Sequence, residues 1–298
     1  MWNESFRSDK VEPIVPFHKE LGCITMTFLV TGATGTVGRH VVAELLEAGV
    51  QVRALTRNPA RADLPAGVEV VGGDLADPSG LRAALEGVVG VHLINFAGDD
   101  YAPLQNGDKL VEALSEAGVE RVTVLGGRAD GPLETALAES GLEWTLLNPV
   151  EFMSNTLQWW ADSVRYQGVI REPYGERLSA MVHERDIAAV AATVLVEGGH
   201  GGRTYTLTGP EAVRTTEKVR QLSAAIGKEI RFEELTEEQA REMWAGFGMG
   251  QDTIEFLVDA LGNTPEVGYT VVPTVEQVTG KKARSFAQWA SENAASFR

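Results

Sequence analysis

The chain has 298 residues, 44% of them apolar, with one cysteine and a formal net charge of −16. That length and apolar content allow one large core, or one core with a smaller appended lobe, in an ordinary soluble globular protein. The charge argues against a nucleic-acid backbone or an anionic membrane as partner, the lone Cys23 excludes an internal disulfide, and the five scattered histidines lack zinc-site spacing.

No apolar run is long enough to span a bilayer, and no signal-peptide pattern opens the chain, so a reducing cytoplasm and no metal are expected. Residues 1–25, MWNESFRSDKVEPIVPFHKELGCIT, carry mixed charges and two prolines without a period. They read as an N-terminal arm, either an extension upstream of a compact start at Met26 or a docking arm.

From Met26 onward, β-branched runs alternate with helical stretches. The runs are TFLVTG, QVRALTR, VEVVGGD, VGVHLINFAG, RVTVLGG and EWTLLNP. Near-continuous apolar strands separated by amphipathic helices predict an α/β fold with a doubly wound parallel sheet, covered on both faces. The expected division is a Rossmann-type nucleotide domain over 26–150 and a smaller C-terminal α+β lobe over 151–298. The lobe is expected to contain a Trp-bearing helix (Phe152 to Gln167), the helix ERDIAAVAATVLVEGG, the strands RTYTLTG and EIRFEEL, and four further helical stretches ending in SFAQWASENAASF. It is expected to fold over the carboxyl edge of the sheet, where open α/β folds take ligands.

The segment FLVTGATGTVGRHVVAELLEAG runs from a strand through Gly32, Gly35 and Gly38 into a helix. Glycines there permit a tight turn and close backbone approach to a pyrophosphate, which the helix N-terminus meets with unpaired N–H groups. Thr31, Gly32, Ala33, Thr34, Gly35, Thr36, Val37 and Gly38 are therefore predicted to hold a dinucleotide. The second strand ends in Thr56-Arg57-Asn58, where an NAD-selective site would place a carboxylate for the ribose diol. A guanidinium suits a 2′-phosphate instead, so NADP(H) is the expected cofactor, with Arg57 as its recognition residue.

The spacing TGxxGxxG, together with VRALTRNPAR, VVGGDLADP, SGLEWTLLNPVEFMSN, HERDIAAVAATVL and TVEQVTGKKARSFAQWA, resembles the NmrA-like family of atypical short-chain dehydrogenases. The resemblance implies adenine contacts at Asp74 and Leu75. It places Asn95, Phe96 and Ala97 (with Gly98), then Gly126, Gly127, Pro149 and Val150, along the rest of the cofactor. The family includes quinone and other reductases, biosynthetic enzymes and non-catalytic redox sensors.

Hydride transfer to a carbonyl ordinarily needs an acid near the developing oxyanion. Short-chain dehydrogenases supply it with a hydroxyl and a YxxxK pair, and this chain has no YxxxK. Where family members often carry Ser-Ser at the end of the fifth strand, this sequence has Gly126-Gly127. Where a Lys or His tends to precede the Glu corresponding to Glu134 by one turn, it has Asp130, and the common Arg-Pro of the sixth strand is Asn148-Pro149. Candidate catalytic residues are thus Asp130, Tyr101 in AGDDYAPL, and Asn155, which matches the family's FMSN pattern. His183 is expected to organise its helix N-terminus.

Phe152, Asn155, Trp159, Trp160, Tyr174 and Trp244 are the candidate substrate contacts, with Phe247 and Met249 on a glycine-interrupted candidate lid. An aromatic pocket with few polar anchors suits a small apolar or aromatic ligand. The expected function is an NADP(H)-dependent oxidoreductase acting on a small apolar carbonyl, quinone or conjugated compound. The alternatives are a non-catalytic NADP(H) sensor, and a lyase, cyclase or isomerase that uses the nucleotide without net redox. An oligomer is compatible with the sequence.

Overall fold

A computed structural model describes residues 26–97, 102–126 and 130–298. The expected arm, Gly98, Tyr101 and Gly127 lie outside the described residues.

The chain opens with β1 (Thr27–Val30), α1 (Gly38–Glu47), β2 (Gln51–Thr56), β3 (Glu69–Gly72) and the short α2 (Arg82–Leu85). It continues through β4 (Val88–Ile94), a two-residue ribbon of β5 (Phe96–Ala97) with β6 (Ala102–Pro103), and α3 (Gly107–Glu116). Next come β7 (Arg121–Leu125), α4 (Pro132–Ala138) and β8 (Glu143–Pro149). Then follow α5 (Asn155–Gln167), β9 (Val169–Glu172), β10 (Leu178–Ser179), α6 (Glu184–Glu197), β11 (Arg203–Leu207), β12 (Val213–Arg214), α7 (Thr215–Ile226) and β13 (Arg231–Glu234). The helices α8 (Glu237–Gly246), α9 (Gln251–Gly262), α10 (Glu266–Tyr269), α11 (Thr274–Thr279) and α12 (Phe286–Glu292) complete the chain.

Seven strands form one all-parallel sheet in the order β11-β8-β7-β4-β1-β2-β3. The pleat sends Phe28 and Val30 of β1 to one face, where they pack with Val41, Val42 and Leu45 of α1 and with Ile187, Val190 and Leu195 of α6. Leu29 points to the other face and joins Leu110 and Leu114 of α3 and Leu133 and Leu137 of α4. Chain order reverses between β1 and β4, so a crevice opens at their carboxyl ends. Thr31 closes its floor: its Oγ1 donates to the His92 carbonyl at 2.9 Å and accepts from the Ile94 amide at 3.0 Å.

Two elements from beyond residue 150 join the main sheet layer. β11 pairs with β8 from Arg203↔Thr145 to Leu207↔Pro149, and α6 covers the sheet face beside α1. Without β11 the backbone of β8 would be an open edge, and α6, whose inner residues are almost wholly apolar, has nowhere else to bury them.

The remaining elements form the lobe, around Trp160, Ile170, Leu222, Phe286, Trp289 and Phe297. Two polar links tie it to α6: Trp289 Nε1 donates to Glu184 Oε1 at 3.0 Å, and Arg284 pairs with Asp186. His183 caps α6, its Nδ1 accepting from the Arg185 amide at 3.1 Å. A third link fixes the segment after β8. The carbonyl of Glu151 accepts from the Val182 amide at 2.9 Å, while its carboxylate pairs with Arg177 at 3.0 Å. Both lie near Lys218, a fully buried ammonium that donates to Ser179 Oγ at 3.2 Å. Burial pushes Lys218 below the ordinary lysine range and Glu172 above the carboxylate range, while Lys218 and Arg177 hold Glu151 low against its own burial.

His92 of β4 is wholly buried, with Nδ1 at 2.9 Å from Thr123 Oγ1 of β7 and no partner for Nε2 among the described residues. Burial pushes its pKa from 6.5 down to about 4. Above 6.5 both folded and unfolded chains hold it neutral. As pH falls through 6.5 the unfolded chain takes up a proton that the fold refuses, so stability drops until the fold itself protonates near 4. Urea unfolding should therefore show about 2 kcal/mol less stability at about pH 5 than at about pH 7.5 from this group. His92→Gln should lose that share of the slope; an unchanged slope would assign the acid sensitivity to another group.

Candidate active site

Along the carboxyl edge of the sheet runs a cavity of about 1090 Å³. Its middle is the glycine loop, which leaves β1 through Gly32 at φ +58°, a left-handed conformation that glycine adopts without penalty. The Gly35 amide donates back to the Gly32 carbonyl at 2.8 Å, and the chain then enters α1 at Gly38. A Cβ at Gly38 would lie 2.1 Å from that carbonyl oxygen, so any other residue there forces helix and loop apart. Arg39 braces the outer side of the loop, donating to the carbonyls of Gly35 at 3.1 Å and Thr34 at 2.8 Å. Among the described residues no side chain caps the start of α1. The amides of Arg39 and His40 bond back to the carbonyls of Gly35 and Val37, and the positive end of the helix dipole faces the cavity beside Thr34, Gly35 and Thr36, an arrangement that fits a pyrophosphate.

Toward β2 and β3 the wall is made by Thr56, Arg57, Asn58, Arg61, Asp74 and Leu75. Arg57 stands where a 2′-phosphate reader was expected, and Arg61, on the 3-10 turn Pro59–Arg61, adds a second guanidinium that the sequence reading missed. The motif RNPAR held the signal: Pro59 starts a turn that brings the later arginine back beside the first. Arg53 points elsewhere, bonded to Glu69 at 2.8 Å and to the carbonyls of Ala84 and Glu86. Asp74 takes the Ala76 amide onto Oδ1 at 2.9 Å, and the Leu75 carbonyl is held by Asn106 at 2.9 Å.

Toward β4, β7 and β8 the wall is made by Asn95, Phe96, Ala97, Gly126, Pro149, Phe152, Asn155 and Gln158. Phe152 bridges to Val182, and the Met153 amide donates to the Val182 carbonyl at 3.0 Å, so the lobe sets where Phe152 stands. Asn155 begins α5 and Gln158 follows one turn later on the same face. Asn95 reaches across to Glu134, its Nδ2 donating to Oε1 at 2.8 Å.

The other expected site residues lie outside these walls. Ala33 and Val37 are buried beneath the loop, though Val37 still touches the cavity; Val150 joins the sheet core, its amide bonded to the Leu207 carbonyl at 3.1 Å. Asn148 sits within β8 opposite Thr206. Asp130 is exposed at the approach to α4 and is not part of the cavity wall. Trp160 is buried, with its indole N–H bonded to Glu172 and its ring under Lys218 Nζ at 5.9 Å. Trp244 is the centre of the small α8–α9 core, which Trp159 and Met249 join, and Phe247 is exposed. Tyr174 takes φ +58° at a chain turn and donates to Glu237 at 3.1 Å. Trp159, Trp160, Tyr174 and Trp244, expected as substrate contacts, are not among the residues that line this cavity. Helix-borne aromatics carry one periodicity whether they face a core or a ligand.

On the far side of Asn95, no described residue of the wall carries a titratable side chain. Among the described residues no group of three or more His, Cys, Asp or Glu side chains is placed to hold a metal ion, and no helix is long and apolar enough to cross a membrane.

Comparison with known proteins agrees with this geometry. Residues 32–132 match the model of a family described as NAD(P)H-binding. The chain is 39% identical to the (4-alkanoyl-5-oxo-2,5-dihydrofuran-3-yl)methyl phosphate reductase of Streptomyces griseus, covering 90% of this chain and 98% of that protein. It is 37% identical to the NAD(P)H azoreductase of Xenophilus azovorans, over 90% and 98% of the two chains. The NADPH-dependent quinone oxidoreductase of Escherichia coli, in a crystal structure with NADPH, superposes with a TM-score of 0.75 at 28% identity, covering 89% of this chain and 99% of that one. The glycine loop, the seven-stranded parallel sheet and these full-length likenesses agree: the chain belongs to the NAD(P)H-binding, NmrA-like family of atypical short-chain dehydrogenases/reductases.

Proposed function

We propose that this protein is an NADP(H)-dependent reductase of flat, uncharged, conjugated acceptors such as quinones, azo compounds and enones. One observation carries the reading: the cavity has two guanidinium groups at the β2 end and, among its described walls beyond Asn95, no side chain able to donate a proton as an acid.

The β2 end supports the choice of nucleotide. Arg57 and Arg61 can form charge-assisted hydrogen bonds to a phosphate on the adenosine ribose, whereas the diol of NAD would be better served by a carboxylate. The other end supports the choice of acceptor. When bound, the reduced nicotinamide supplies a hydride. An isolated ketone would become an alkoxide and need an acid at once. A quinone becomes a hydroquinone anion, an enone an enolate and an azo group a delocalised nitrogen anion; each spreads the charge and takes its proton from water. Gly126, Pro149 and Phe152 offer an apolar wall for such an acceptor, and the carboxamides of Asn155 and Gln158 offer neutral hydrogen bonds to its oxygen or nitrogen. By name the X. azovorans relative is an azoreductase and the E. coli one a quinone oxidoreductase, which agrees with this class, whereas the S. griseus relative reduces a dihydrofuranone that also carries a phosphate.

NADPH oxidation should be fast with a benzoquinone, an azo dye or an unsaturated lactone and negligible with a saturated ketone of similar size. The rate with the quinone should stay within about twofold between about pH 6 and pH 9, since no enzyme acid titrates in the step. Rapid ketone turnover, or a bell-shaped profile, would overturn the acceptor class; distinct affinities for NADPH and NADP⁺ with no turnover on any acceptor would favour a sensor. Arg57→Ala and Arg61→Ala should each weaken NADPH binding roughly 3- to 10-fold in calorimetric titration, with NADH changed by less than about twofold. Equal losses for both nucleotides would remove the 2′-phosphate reading.

A further inference from the structure

Glu134 of α4 is a buried carboxylate, 2% exposed, to which the reading above gives no role. Its Oε1 accepts from Nδ2 of Asn95, a residue of the cavity wall 39 positions earlier in the chain. Two glycines leave room for that bond. A Cβ at Gly126 would lie 2.3 Å from Asn95 Nδ2, and a Cβ at Gly131 would lie 2.3 Å from Glu134 Oε2.

Gly126 is itself part of the wall, so the Asn95 carboxamide lies over its Cα, in space a side chain at position 126 would need. Serine at 126 and Asn95 in this rotamer are mutually exclusive. The pairing also decides which way the amide faces. A carboxamide whose nitrogen donates to a carboxylate has its oxygen turned away from that carboxylate, free to accept from a ligand N–H or O–H. A buried carboxylate serving only as a helix-terminus charge would need neither the asparagine nor the two glycines.

We propose that Glu134 is a positioning residue: it locks the Asn95 carboxamide in the cavity wall as an acceptor for the nicotinamide-riboside half of the dinucleotide. Gly126 and Gly131 are glycines because that pair occupies the volume of their side chains. The inference rests on the NADP(H) reading, and its test separates the two.

Wild type, Glu134→Ala, Asn95→Ala and the double variant are titrated with NADPH and with adenosine 2′,5′-bisphosphate, which lacks the nicotinamide-riboside half. Each single variant should weaken NADPH roughly 5- to 10-fold, the size of one hydrogen bond in a partly buried site, and change the bisphosphate by less than about twofold. The double variant should bind no more weakly than Asn95→Ala, because Glu134 acts through that side chain. Glu134→Gln, whose amide oxygen still accepts from Nδ2, should return NADPH to within about threefold of wild type. Should Glu134→Ala fail to fold, Gly126→Ser displaces the carboxamide with Glu134 in place and should give the same selective loss. Repeating the titration with 2′-phospho-ADP-ribose assigns the donor: a loss there points to the ribose hydroxyls, and retention points to the nicotinamide amide. Equal losses on both ligands, no loss, or additive losses in the double variant would overturn the positioning role. A wild type that binds the bisphosphate but not NADPH overturns it as well, whereas one that binds neither ligand removes the nucleotide reading itself.

Discussion

The contact on which the site depends is the approach of α1 to the Gly32 carbonyl, so close that no Cβ fits at Gly38. That approach brings an uncapped helix N-terminus to the switch point between β1 and β4, and the anion-binding character of the cavity follows from it. It also requires a rigid floor. Thr31 supplies one by tying β1 to β4 on both sides of its hydroxyl, and the apolar faces of α1 and α6 press the same strands from below. A loop this tight on a loose sheet would lose its geometry with each fluctuation of the strands beneath it.

From that fixed centre the cavity differs in kind toward its two ends. Toward β3 it is made of strand ends and a short turn, with charged side chains reaching over exposed backbone. Toward β8 it is made jointly by sheet and lobe, and the lobe is placed by buried polar links. The pairing of Glu151 with Arg177 beside Lys218 is expensive to bury and is useful because it is directional. An apolar plug would hold the segment after β8 as firmly but would not determine how far Phe152 and Asn155 project. Truncating Glu151 would leave the Arg177 guanidinium without its carboxylate, so this network is less forgiving than the apolar core around it.

Much of this was legible in the sequence because it is local. Strand, three glycines and helix occur in order within one unit, and the absence of an acid after the second strand is read at a single position. What stayed hidden depends on contacts across the chain. RTYTLTG is an alternating strand whether it sits in the lobe or at the edge of the main sheet, and only the need of β8 for a neighbour decides for the sheet. Trp160 and Trp244 have the spacing of a ligand-facing stripe and of a core stripe alike. Arg61 was within reach, since a proline-started turn two residues after Arg57 returns the chain to the same place.

Gly126 is the instructive case. Compared with the family pattern, it looks like a deletion, a missing hydroxyl where chemistry was expected. In the fold it is space claimed by Asn95, whose partner Glu134 lies on α4, 39 residues further on, too far along the chain for any local pattern to connect them. The wall therefore holds a neutral, oriented carboxamide in place of a proton-donating hydroxyl. A carboxamide can direct a ligand but cannot give it a proton at any accessible pH, so it suits acceptors that stabilise their own charge. For the conjugated acceptors proposed above, position 126 then needs no side-chain acid.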